Sequence, residues 1–243
     1  MTTLRVGTWN VEYALGVERN ARRAAILRDA DADIWALTET HDELDLSSTH
    51  AAVSTLQRPS GRVGGRWTTI WTRCPVLAAP AVADPIRTVA ALLDTPFGPV
   101  LVYGTVMPWG NDAGPDPKSP STRWTEQGRV LPEQVAEWAR LRGQHPGAAL
   151  VVAGDFNMNL GGKHHYGTLR GRVTLREGSS KNGLFCATET ERVPSGALRD
   201  PPIDHVAVPA CWEGRTTVAA AWEGRAPDGV KLSDHSGLVV EVR

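Results

Sequence analysis

Five strand-like stretches of this chain carry a carboxylate, an asparagine or a histidine at one end. The first alternates from Leu4 to Thr8 and closes on Trp9-Asn10-Val11-Glu12. The second, Asp33-Ile-Trp-Ala-Leu-Thr38, closes on Glu39. The third, Ala148–Ala153, is apolar throughout and runs into Gly154-Asp155-Phe156-Asn157. A fourth begins Ile203-Asp204-His205, and the last begins Leu232-Ser233-Asp234-His235. Polar groups at strand ends converge over one edge of a sheet, and pockets of layered α/β folds lie at such edges.

The remaining pattern fits that frame. Ala21, Ala24 and Ala25 predict a helix over residues 18–30, so the chain opens strand–helix–strand. Arginines 19, 22, 23 and 28 read as its solvated face. Further strands are predicted at Arg66–Thr72, Arg87–Asp94, Pro99–Val106, Ile203–Val208, Thr216–Ala221 and Gly237–Val242, with a hairpin turn at Thr95-Pro-Phe-Gly98. Leu131, Val135, Trp138 and Ala139 share one face of a helix over 132–142, with Pro132 in its first turn. Residues 107–121 hold four prolines and two glycines and read as a long surface loop. Trp-Glu-Gly-Arg occurs at 212–215 and 222–225, as two flanks of one strand rather than a repeat. Irregular alternation of helices and strands predicts an α/β layered domain with mixed sheets. No composition break divides residues 1–243, which are expected to form a single domain.

Composition excludes several classes. Apolar residues are 41% and charged residues 22%, which excludes a disordered chain. The net charge of −1 argues against a broad phosphate-tracking surface, but leaves an enzyme that works through a bound cation. Cys74, Cys186 and Cys211 are odd in number and widely spaced, unlike a disulfide scaffold or zinc ribbon, and read as small buried thiols. No apolar run reaches the ~18 residues of a membrane span. The expectation is a soluble, cytoplasmic monomer.

The polar strand ends have a coherent chemistry. Carboxylates and an amide oxygen are hard ligands suited to Mg²⁺ or Mn²⁺. Such a cation binds a phosphate oxygen and stabilises charge developing on it. A histidine beside an aspartate serves as acid–base group or phosphate donor, oriented by the carboxylate.

Taken together, Thr8-Trp-Asn-Val-Glu12, Asp33–Glu39, Gly154-Asp-Phe-Asn157, Ile203-Asp-His205 and Leu232-Ser-Asp-His235 resemble the endonuclease/exonuclease/phosphatase superfamily over nearly the whole chain. The resemblance implies a four-layer sandwich: two mixed β-sheets packed face to face, with helices on the outside. It implies metal-dependent attack of water on a phosphoester, most directly a nucleic-acid phosphodiester. A sugar, inositol or lipid phosphoester is the alternative, and a binding protein that lost catalysis a second one. Carried over by motif, Glu39 is the main metal ligand, with Asn10, Glu12 and Asp234 near the metal. Asp155 positions or deprotonates the water, Asn157 and Asn10 contact the substrate, and His235 donates to the phosphate with Asp204 orienting its ring. The chain departs from the family pattern at Val106, where many members carry a His or Tyr. His164, His165 and Tyr166 are the expected replacements as substrate contacts.

Overall fold

The computed structural model describes residues 2–58, 62–114 and 122–243. The proline-rich segment is described to residue 114, and its remainder, 115–121, lies outside the described residues. In chain order the elements are β1 (Leu4–Asn10), α1 (Val17–Ala30), β2 (Ile34–His41), β3 (Ala51–Ser54), β4 (Gly65–Thr72), β5 (Val76–Ala78), β6 (Thr88–Thr95) and β7 (Gly98–Val106). There follow α2 (Thr125–Gln144), β8 (Ala149–Asp155), α3 (Leu169–Lys181), β9 (Leu184–Cys186), β10 (Asp204–Pro209), β11 (Thr216–Trp222) and β12 (Gly237–Val242).

The strands form two six-stranded sheets, ordered β11-β12-β1-β2-β4-β3 and β5-β6-β7-β8-β10-β9. Each is mixed: β1 runs parallel to β2 in the first and β7 parallel to β8 in the second, while the other pairs are antiparallel. Strand alternation sorts the side chains. Val6, Ile34, Ile70 and Val240 of the first sheet meet Ala91, Val102, Val151 and Val206 of the second in an aliphatic core. The outer face of the first sheet packs Trp9, Trp35 and Val239 against Leu27 and Ala30 of α1. The outer face of the second packs Leu101, Tyr103 and Val152 against Leu131 and Trp138 of α2 and Leu175 of α3. These are the expected four layers.

Several expectations need correction. The helix expected at 132 begins at Thr125, so Pro132 lies inside it rather than in its first turn. Its early buried face carries Glu126 and Gln127, whose polarity hides the helical pattern. Gln127 is satisfied by donating to the Pro108 carbonyl at 3.1 Å. Helix α3 and the short strands β3, β5 and β9 were not signalled at all. Arg23 is not on a solvated face but fully buried. Its guanidinium donates to the Leu232 carbonyl (Nη2 2.6 Å, Nε 3.2 Å) and to Asn20 Oδ1 at 2.7 Å. Of the three free cysteines only Cys186 is buried; Cys211 is exposed.

Candidate active site

Alternation along β1 places Leu4, Val6, Thr8 and Asn10 on the inter-sheet side, so Asn10 stands where the space between the sheets opens. Its backbone N–H donates to Asp204 Oδ1 at 3.1 Å. Its carboxamide NH₂ donates to Glu39 Oε1 and Asp155 Oδ2, both at 3.1 Å. Its carbonyl accepts from the Ser233 hydroxyl at 2.6 Å. One residue thereby ties the ends of β1, β2, β8 and β10 to the loop before β12.

Asp155 ends β8, Asp204 begins β10, and the two are register partners. The Asn157 N–H donates to Asp155 Oδ1 at 2.8 Å, while its side chain donates to Asp155 Oδ2 at 3.1 Å and to the Met107 carbonyl at 2.8 Å. His235 is held from three sides. Its N–H donates to Ser233 Oγ at 3.0 Å, its carbonyl accepts from Trp9 Nε1 at 3.1 Å, and its Nδ1 donates to Asp204 Oδ2 at 2.6 Å. Nε2 is thus left facing Asp155, 4.0 Å from Oδ2.

The backbone is strained at this place. Among the described residues seven non-glycine residues have positive φ, and five of them are here: Glu12 (+46°), Tyr13 (+65°), Ala14 (+43°), Glu39 (+51°) and Asn157 (+49°). Each such residue costs roughly 1–3 kcal/mol, and strain of this kind clusters at functional sites. Glu39 shows the use of it. Alternation would put its side chain outward beside Trp35 and Leu37; the left-handed φ interrupts the pattern, and the carboxylate meets Asn10. Gly154 serves the neighbouring strand. At φ +138° an added Cβ would lie 2.0 Å from the Thr105 carbonyl oxygen of the paired strand β7, so this position before Asp155 demands glycine.

Burial dominates the electrostatics. It raises the pKa of Asp155, Asp204 and Glu39, and the Asp155–Asp204 repulsion adds to the first. Burial alone would push the His235 imidazole down, but the Asp204 and Asp155 carboxylates outweigh it and hold the ring protonated well above its usual range. Three carboxylates therefore face one imidazolium in a poorly solvated cluster. Atoms of Asp155, Asp204 and His235 lie within 4.8 Å of one another. The net negative charge and the oxygen donors fit a hard divalent cation. Glu39 is the carboxylate least committed to other groups, with Asn10 its one hydrogen-bond partner among the described residues, whereas Asp204 is engaged by His235 and Asn10, and Asp155 by Asn10 and Asn157.

Other expected residues stand apart. The Glu12 carboxylate pairs with Lys231 at 2.9 Å, and only its backbone N–H reaches Asn10 Oδ1. Asn10 turns donors, not its amide oxygen, toward Glu39 and Asp155. Asp234 is exposed at the mouth, 3.9 Å from His235 Nε2. His164 and His165 are exposed, and the His164 ring donates to the Gly167 carbonyl of its own loop at 3.0 Å. Tyr166 is half-buried and meets Trp124 edge to face; burial pushes its phenol pKa up, and the Asp155 and Asp234 carboxylates add to the rise. Val106 is buried in register with Asp155 and offers no polar atom. Sequence reasoning missed the Ser233 hydroxyl as a clamp, although it lay inside a motif already singled out. It also missed Arg23, which holds the neighbouring Leu232 and had no sequence signal.

The family model described as Endonuclease/Exonuclease/phosphatase family matches residues 7–235. No curated protein matches the chain in sequence. Among solved structures, the 3′ phosphatase NExo from Neisseria bound to product DNA hairpin superposes with a TM-score of 0.70 at 16% identity, covering 99% of both chains. An AP endonuclease from Archaeoglobus fulgidus gives 0.68 at 14% identity over 98% of both. The human Nocturnin catalytic domain gives 0.67 at 16% identity, over 100% of this chain and 93% of the other. At these identities the likeness is one of fold.

Proposed function

The chain belongs to the endonuclease/exonuclease/phosphatase family, and from that premise we propose that it is a divalent-metal-dependent phosphodiesterase acting on nucleic acid. The observation that carries this reading is the line Asp204–His235–Asp155, braced by Asn10 against Glu39 at the open end of the two sheets. Asp204 fixes the imidazole so that Nε2 points into the site as a charged donor for a phosphoryl oxygen. Asp155 lies across from it. Its raised pKa brings its basicity nearer to what proton abstraction at neutral pH requires. It takes the proton of a water whose oxygen attacks phosphorus in line; the P–O ester bond opposite breaks, and the departing oxygen takes a proton from solvent to leave as an alcohol, while Asp155 returns its proton to solvent. Asn157 shares the phosphate. Glu39, its carboxylate oriented by the Asn10 NH₂, would hold Mg²⁺ or Mn²⁺, which when bound supplies positive charge to the phosphate and the leaving oxygen. Asp234 and Glu12 lie at the rim. In place of the absent donor at Val106 we assign Tyr166, half-buried against Trp124, since the His164 ring is turned to the Gly167 carbonyl of its own loop.

Nucleic acid is preferred over a small phosphoester because the fold is shared with a 3′ phosphatase bound to DNA and with an AP endonuclease. Free cysteines suit a reducing compartment, in keeping with a cytoplasmic enzyme. Among the described residues no helix is long and apolar enough to cross a membrane.

The test is hydrolysis of single-stranded DNA, a minimal phosphodiester and a phosphomonoester panel in Mg²⁺, Mn²⁺ or chelator. Activity is expected with metal only and on the diesters. Asp155→Asn and His235→Ala should each lower kcat by about 10²–10⁴, and Tyr166→Phe by about tenfold through one lost charged hydrogen bond. Turnover that survives both of the first two changes, or that is indifferent to chelator, would refute the mechanism.

A further inference from the structure

Beside Glu39 the structure opens a second cavity, of about 390 Å³, lined by Tyr13, Leu15, Thr40, His41, Arg58 and Arg62. Its volume is at the small end of the range for ligand sites, ~300–1,000 Å³. Thr40 and His41 are the two residues of β2 that follow Glu39, so the cavity and the metal-holding end share one strand. On its wall a guanidinium lies against two rings. Arg58 Cζ lies 3.7 Å from the Trp67 ring centroid and 4.8 Å from that of Tyr13. Trp67 in turn packs on Trp109 at 5.5 Å, which completes a run of rings behind the cation. Arg58 Nε is buried and has no hydrogen-bond partner among the described residues. The same arginine is close enough to pull on the Glu39 carboxylate. Tyr13 stays 48% exposed, although it sits at φ +65° between two further left-handed residues. A strained turn that presents a large aromatic ring to solvent beside an underused cation is costly as packing alone.

We infer that this cavity is a subsite for the nucleotide that flanks the scissile phosphate on a single strand, its base stacked on Tyr13 and its phosphate on Arg58 and Arg62. The inference rests on the nuclease reading above and deepens it. An aromatic platform with an adjacent cation takes any unstacked base and needs no broad basic surface, which agrees with a net charge of −1. A base inside a duplex would not offer its face to Tyr13, so the subsite favours a single strand.

The test is fluorescence anisotropy of a labelled deoxythymidine hexamer with the full chain in Mg²⁺, on an Asp155→Asn background so that the probe is not consumed. Tyr13→Ala should weaken binding by about 5- to 100-fold and Tyr13→Phe should not. Arg58→Gln should weaken binding and reduce the salt slope by roughly 0.7, the share of one phosphate contact on a single strand. Arg58 lies on Trp67, so Arg58→Gln is read only if its melt is unchanged. Tyr13 is half exposed, and its variants decide the matter alone if Arg58→Gln unfolds. The subsite is overturned if the hexamer does not bind, if binding ignores Tyr13→Ala, or if thymidine monophosphate competes as well as the hexamer. Hexamer binding that depends on Tyr13, in a chain that hydrolyses nothing, would remove the enzyme reading and leave the subsite. Hydrolysis lost in His235→Ala, with binding indifferent to Tyr13, would do the reverse.

Discussion

His205 follows Asp204 in sequence and faces the other side of the sheet. Its Nε2–H donates to the Met158 carbonyl at 3.0 Å, and its Nδ1 accepts from the Thr188 hydroxyl at 3.0 Å, which itself accepts from the Val206 N–H. This arrangement needs the neutral ring, and burial pushes the imidazole down to about 4. Between pH 6.5 and 4 the unfolded chain therefore binds a proton at this position and the folded chain does not. Stability from His205 is fully present above pH 6.5 and is lost as pH falls, by about 2 kcal/mol at pH 5. The raised pKa values of Glu39, Asp155 and Asp204 act with the opposite sign, so the comparison must be made against His205→Gln. Urea unfolding should show the advantage of the parent chain over His205→Gln shrinking by about 2 kcal/mol from pH 7 to pH 5. A constant difference would mean that the ring is not held neutral. At this scale the sequence was readable where chemistry and strand ends coincide: Asn10, Glu39, Asp155, Asn157, Asp204 and His235 all stood in motifs, and the structure gathers them. Arg23, Tyr13 and Arg58 were not readable. An arginine among helix arginines looks solvated until the Leu232 loop folds over it, and Tyr13, next to Glu12, meets Arg58 only once the chain has folded.

Among the elements, helix α3 shows why a helix escapes a periodicity argument. The apolar residues Leu169 and Val173 are largely exposed, while the buried face is made of Gly171, Leu175, Gly178 and Ser179. The contact is one of close approach. A Cβ on Gly178 would lie 2.5 Å from Val135 Cγ2 on α2, and one on Gly171 would lie 2.9 Å from the Thr168 hydroxyl that caps the helix. Helix propensity favours Gly178→Ala by about 1 kcal/mol. The branched Val135 side chain has no flexible end with which to give way, and overpacking of this kind costs about 1–3 kcal/mol. Gly178→Ala should therefore destabilise the chain by about 1 kcal/mol in urea, and adding Val135→Ala should recover part of the loss. Stabilisation by the single change would show that the helices separate freely. Strands with clean alternation were predicted to within a residue or two, as for β4, β7 and β12. The three-residue β5 and β9 are too short to display a period, and β3 has no fully buried residue to mark an inner face.

Over the whole molecule, the sheets bury aliphatic side chains between them and leave their charged groups at one end of that space. Folding must therefore bring Glu39, Asp155 and Asp204 together at a cost in repulsion and desolvation, offset by His235 and by the hydrogen bonds of Asn10. A cation that binds this end binds the folded chain alone, and its affinity appears as stability. If Mg²⁺ binds with a Kd of about 1 mM, 10 mM of the ion adds RT ln 11, about 1.4 kcal/mol, and raises Tm by roughly 3–6 °C for a chain of this size. Glu39→Gln removes one half-buried charge and the proposed ligand together. In chelator its Tm should equal or exceed that of the parent chain, because the repulsion is relieved. In Mg²⁺ its rise should largely vanish. The two outcomes separate a ligand from a structural residue, since loss of a structural contact would lower Tm in chelator as well. A parent chain whose melt ignores both Mg²⁺ and Mn²⁺ up to 10 mM would place any ion affinity too weak to hold the site together. The acidic end would then have to owe its order to His235 and Asn10 alone.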